Sequence, residues 1–95
     1  MTSQLIPAPP AGVISRRLDN ETILVSPDAG KIRVLNEVGS HIWQLINGQN
    51  NVAAIEAALT AHYDVAPEQV RQDVRAFLDD LTRRGLLEWQ TVNTA

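Results

Sequence analysis

There is no cysteine in these 95 residues. That absence removes a disulfide framework, a thiolate nucleophile and a thiolate metal site together. Histidine is almost as scarce: His41 and His62 are the two imidazoles, too few to build a metal cage. No apolar run approaches the ~20 residues a membrane-spanning helix requires, so no membrane partner is expected. Residues 1–12 lack the basic head and apolar block of a secretory signal, which makes the cytoplasm the expected location. Positive charge is short as well. A net charge of −3 argues against a partner held mainly through phosphates, so no nucleic acid is expected. The motifs of catalysis are missing too: no glycine-rich phosphate loop, no H-E-x-x-H and no nucleophile elbow occur. The expectation is a non-catalytic protein with no metal site and no cofactor.

What is present is the composition of an ordinary globule, 44% hydrophobic and 20% charged, long enough for one core. The chain turns on the stretch Lys31 to Gly48, where hydrophobic spacing changes period. Ile32 and Val34 alternate as in a strand; Val38, Ile42, Leu45 and Ile46 fall at helical intervals. Asn36 suits a helix N-cap, since its side-chain oxygen can accept from a first-turn amide, and Asn47-Gly48 suits the other end.

Around this switch the remaining elements fall into order. Residues 1–12 hold three of the five prolines and no charge, and read as a flexible Pro-rich arm. Strands are expected over residues 13–18, 22–25 and 31–35. Asp19-Asn20-Glu21 and Ser26 to Gly30 supply the turns, so the three should form an antiparallel meander. Asn51 can cap a second helix over residues 52–63, whose apolar face is Val52, Ile55, Ala58 and Leu59. Pro67 fits the first position of a third helix over 67–84, striped by Val70, Val74, Phe77, Leu78 and Leu81 and closed by Gly85. Residues 89–95 read as a tail. The fold class is α+β: a three-stranded antiparallel sheet followed by a three-helix, winged-helix-like bundle, with the domain spanning residues 13–88.

Three functions can be set against that plan. For an enzyme, the available carboxylates are Asp73, Asp79 and Asp80, and Arg84 four residues after Asp80 reads as an ion-pair partner on a solvated helix face. A winged-helix DNA-binding protein would use Arg71, Arg75, Arg83 and Arg84, but Glu68, Asp73, Asp79 and Asp80 interleave with them and no one-signed stripe forms. A peptide-binding module needs only a free sheet edge, where an extended guest adds as a strand. The third strand, Lys31, Ile32, Arg33, Val34 and Leu35, would offer that edge. Asp73, Phe77, Asp80 and Arg84 would flank the groove beside it, and guest side chains would enter a pocket near Val34, Val74, Phe77 and Leu81. The same edge could pair with a second copy of the chain as a weak homodimer.

The order and spacing of several residues bring a family into view. Gly30-Lys31 is followed by Leu35-Asn36, Gly39, Ile42, Trp43 and Gly48, then Val52, Ile55 and Leu59. Tyr63, Val65, Val70, Asp73-Val74, Phe77-Leu78, Leu81 and Gly85-Leu86-Leu87 complete the series. Over residues 13–87 the chain resembles the PqqD-like family, the leader-peptide recognition domains of ribosomally made, post-translationally modified peptides. The resemblance implies a three-stranded sheet on a three-helix bundle and no catalytic residue. It also implies binding of a precursor's leader as an added strand along the third strand, against the third helix. Members present that leader to a modifying enzyme: a radical SAM enzyme in the pyrroloquinoline quinone pathway, or a leader peptidase and then a cyclase in lasso-peptide pathways. The quinone-pathway pattern favours alanine and leucine where this chain has Gly39 and Trp43, and Asp-Gly where it has Asn47-Gly48. Those departures tilt the expectation toward the lasso-peptide type.

Overall fold

The structure, a computed structural model, describes residues 2–28 and 30–94. Its elements are β1 (Thr2–Ala8), β2 (Ile14–Leu18), β3 (Glu21–Ser26), β4 (Lys31–Leu35), α1 (Glu37–Leu45), α2 (Val52–His62), α3 (Pro67–Arg83) and β5 (Glu88–Thr94). β2, β3 and β4 form the expected antiparallel meander in that order, and the three helices follow it. The β2–β3 turn places Asp19 at φ 54°, a left-handed conformation that aspartate tolerates through its own side-chain hydrogen bonding. Gly30, at φ 64°, closes the next turn, where its amide donates to the Pro27 carbonyl at 3.2 Å.

Each helix starts and stops where local chemistry satisfies its end groups. The Asn36 side chain accepts from the Gly39 amide at 2.8 Å, and Asn51 accepts from the Ala54 amide at 2.8 Å. Pro67 opens α3 with no side-chain cap. At its far end Leu86 donates to the Leu81 carbonyl and Gly85 to that of Thr82, a left-handed glycine closure that turns Leu86 and Leu87 into the core. The core joins Leu24 and Leu35 from the sheet to Ile42, Trp43, Ile55, Leu59, Val70, Val74, Leu78 and Leu81 from the helices. Val38, placed by its spacing on the buried face of α1, is 41% exposed. Gly39 and Ser40 take the buried turn because α1 packs its first residues closely on the strand before it.

The two ends differ from their sequence reading. In place of a flexible arm and a loose tail, β1 and β5 pair antiparallel, from Thr2 with Thr94 to Ala8 with Glu88. Ile6, Pro7 and Ala8 are buried. Proline argues against a strand because it lacks a ladder donor, yet a two-stranded ribbon leaves one side of each strand without a ladder, and Pro7 sits within that allowance. Trp89 anchors the ribbon by donating from Nε1 to Thr82 Oγ1 on α3 at 3.1 Å. Met1 and Ala95 lie outside the described residues. Among the described residues no helix is long and apolar enough to cross a membrane.

Candidate functional site

β4 is a sheet edge. Among the described residues it pairs with β3 on one side and with no strand on the other. The row of amides and carbonyls along a free edge is a template for an extended chain. Along β4 the side chains alternate in the usual way of a strand. Leu35 points into the core and Arg33 reaches toward α3, whereas Ile32 and Val34 occupy the opposite face, 68% and 49% exposed.

α3 lies across from that edge. One of its stripes, Val70, Val74, Leu78 and Leu81, is buried. The neighbouring stripe carries Phe77, Asp80 and Arg84, and Phe77 packs half-buried at the margin of the core. Between β4 and α3 runs a cleft of about 200 Å³ lined by Arg33, Val34, Leu35, Asn36, Gly39 and Phe77. Gly39 sets its floor: a Cβ there would stand 3.1 Å from a Phe77 ring carbon and 3.3 Å from the Asn36 side-chain oxygen. Its absence leaves the ring room to lie against α1.

The structure gathers some of the expected site residues and separates others. Lys31, Ile32, Arg33, Val34 and Leu35 form the edge strand, and Phe77, Asp80 and Arg84 face it from α3. Val74 and Leu81 do not line a pocket; both are fully buried and belong to the closed core. Val34 presents its side chain to the outer face, so the pocket expected beside it is bounded instead by Gly39 and Phe77. Asp73 sits nearer the start of α3, where it accepts from Gln69 Nε2 at 2.9 Å and borders a separate apolar recess with Val38, Ile42 and Val65. Sequence reasoning placed Asn36 and Gly39 as a cap and a family match, not as cleft residues. The helical wheel was the signal that could have found them, since it puts both on the side of α1 that meets α3.

The electrostatic centre of the cleft is Asp80. Its carboxylate accepts from Arg33 Nε at 3.2 Å across the cleft and from Arg84 Nε at 3.0 Å along the helix, with Arg83 at 4.0 Å. Desolvation, the largest single influence, pushes the carboxyl pKa up. The hydrogen bonds and charges of Arg84 and Arg33 together outweigh it and hold the group below the usual carboxylate range. Outside the cleft, His41 meets His62 edge to face at 4.6 Å and approaches the Tyr63 hydroxyl at 3.4 Å. Burial lowers the His41 pKa, and repulsion from His62 and Arg17 lowers it further. Among the described residues no group of three or more His, Asp or Glu side chains is placed to hold a metal ion.

The family model for coenzyme PQQ synthesis protein D (PqqD) matches residues 21–87. The chain belongs to the PqqD family. Two curated relatives are named PqqA binding protein. The one from Rhizobium meliloti is 28% identical over 72% of this chain and 67% of its own length. The one from Rhodopseudomonas palustris is 34% identical over 68% of this chain and 62% of its own length. Among solved structures, TbiB1 in complex with the TbiA(beta) leader peptide superposes with a TM-score of 0.80 at 33% identity, covering 85% of this chain and 94% of that one. A lasso peptide synthetase B1 bound to a leader peptide has a TM-score of 0.78 at 20% identity, which establishes the shared fold. The PqqD portion of Methylobacterium extorquens PqqCD, described as a stand-alone recognition element for ribosomally synthesised and modified peptides, has a TM-score of 0.72 at 27% identity. This PqqD-family chain therefore shares its sheet and helix order with proteins solved in the act of holding a leader peptide.

Proposed function

We propose that this PqqD-family protein is a non-catalytic recognition module for the leader of a ribosomally synthesised precursor peptide. The leader adds as a strand to the free edge of β4 and lies against α3, and the module presents it in the cytoplasm to a modifying enzyme. The observation that carries the reading is the unpaired edge of β4 standing beside a cleft: backbone hydrogen bonds there supply affinity, and the cleft supplies selection. Lys31, Ile32, Arg33, Val34 and Leu35 provide the edge, Phe77 and Gly39 the apolar wall, and Asp80 with Arg84 the charged rim. Coverage supports a lasso-type pathway with a leader peptidase and cyclase over a radical SAM enzyme: TbiB1 and the lasso peptide synthetase B1, each held with a leader, match over 85% and 86% of this chain, against 72% and 68% for the two PqqA binding proteins.

Amide chemical shifts followed while a synthetic leader is titrated into the labelled protein test the reading. The leader is that of a precursor encoded beside this chain's gene. Shifts concentrated on Lys31–Leu35, Gly39 and Phe77 are the expected result. Shifts confined to the His41 face or to the β1–β5 ribbon would place the guest elsewhere and overturn it.

A further inference from the structure

An antiparallel sheet that packs one face on a core ordinarily turns a polar face to water. This sheet does not. The register aligns Ile14, Val25 and Ile32 in one cross-strand row on the outer face, and Arg16, Ile23 and Val34 in the next. Helices cover the opposite face, through Leu24 and Leu35. The outer rows are aliphatic apart from Arg16, and they are bare at both margins, Ile14 on β2 being 54% exposed. Ile23 and Val25, on the central strand, are half-covered by their neighbours, whereas Ile32 and Val34, on the free edge, are 68% and 49% exposed. Each row thus stops one strand short at the edge where a guest strand would lie. Exposed apolar surface arranged in this way is what an interaction site leaves uncovered.

We propose that Ile32 and Val34 read the leader's outward-facing side chains, so that recognition works on both faces of the added strand; this rests on strand addition at β4. A strand laid beside β4 must alternate. Every second side chain enters the cleft toward Phe77 and Asp80, and the intervening ones stand on the outer face next to Ile32 and Val34. Cross-strand partners on one face come within contact distance, and pairs of aliphatic or β-branched residues there are favoured. The ligand class is therefore an extended segment carrying two aliphatic side chains, two residues apart, on the side away from α3. Occupied in this way, the rows run unbroken over four strands, from Ile14 through Ile32 and from Arg16 through Val34 to the guest.

A library of displayed random dodecapeptides, selected on the immobilised full chain, tests this. Peptides whose binding is abolished by Arg33→Pro define the edge-bound set. Within that set, aliphatic residues should dominate two positions of the same parity that are not the cleft-facing ones. Ile32→Thr and Val34→Thr keep a β-branched residue but add a hydroxyl, and each should weaken the selected peptides by about two- to fivefold. Ile14→Thr, on the same face at the far edge, should leave affinity unchanged, which separates readout from a general loss of stability. Edge-bound peptides that accept serine, lysine or glutamate equally at the outward positions, with affinity indifferent to Ile32→Thr and Val34→Thr, would overturn the proposal while leaving strand addition intact. No peptide sensitive to Arg33→Pro would overturn strand addition and the proposal with it. Dimerisation that Ile32→Thr abolishes, with peptide affinity unmoved, would assign the rows to a second copy of the chain instead.

Discussion

Asp80 shows how one residue ties the candidate site together. It takes hydrogen bonds from Arg33 on β4 and from Arg84 on its own helix, and so bridges the edge strand to α3 across the cleft. The charges are partly exposed to water, which screens such pairs and keeps their worth small. Because the folded chain holds the Asp80 carboxyl below its ordinary value, the stability it contributes is in place above about pH 4 and is lost as pH falls through the lower folded value. Asp80→Asn is expected to cost no more than about 1 kcal/mol near neutrality. That deficit should be smaller at about pH 3 than near neutrality, because the carboxylate's contribution fades as pH falls below its unfolded value toward the lowered folded one. Urea melts of the two proteins at both pH values measure it; a deficit that stayed constant would mean that the carboxylate charge contributes nothing. Arg84 as partner of Asp80 follows from i,i+4 spacing in the sequence. Arg33 as the second partner does not, since 47 residues separate them and only the packing of α3 on the sheet brings them together.

At the scale of elements, β4 carries two properties at once: a backbone edge and the side chains on either face of it. Two substitutions at one position separate them. Arg33→Gln removes the ion pair to Asp80 and leaves the ladder, so leader affinity should change by no more than about fivefold, the equivalent of 1 kcal/mol for a screened pair. Arg33→Pro removes an amide and disturbs the strand, and should lower affinity by about tenfold or more. Isothermal titration with the same leader compares them; equal effects would place the energy in the guanidinium rather than the edge. The meander and the three helices were legible in the sequence because turns, caps and hydrophobic period are local signals, read within a few residues of Asp19, Gly30, Asn36, Asn51, Pro67 and Gly85. The cleft wall was only half legible. The helical wheel separates the Phe77 stripe from the core stripe of Val74 and Leu81 by a small angle, and periodicity alone does not say where a core ends.

For the whole molecule, the β1–β5 ribbon joins the two ends of the chain across almost its full length. Two-stranded ribbons are marginal by themselves, so this one depends on what it docks against. Trp89, half-buried and bonded to Thr82, is the docking residue on β5, and Ile6, Pro7 and Ala8 are buried on β1. Trp89→Ala should lower stability by about 1–3 kcal/mol and speed amide exchange along both strands while the β2–β3–β4 sheet keeps its protection. Hydrogen exchange read by mass spectrometry distinguishes that result from global loosening, which would show the ribbon to be part of the main core. The candidate edge lies in the other sheet, so leader affinity should survive the change.

What the sequence determined alone is the set of local commitments: three short strands, three capped helices, an interior of aliphatic stripes, and a run of family residues that names the fold. These depend on backbone conformation and hydrophobic period, which neighbouring residues impose on each other. The tertiary structure decided that the open edge of β4 stands beside α3, which helix stripe closes the core and which one faces the cleft. It also paired the two chain ends and aligned Ile14, Val25 and Ile32 across three strands. Those outcomes rest on contacts between residues far apart in the chain, and their energies exist only once the elements have packed.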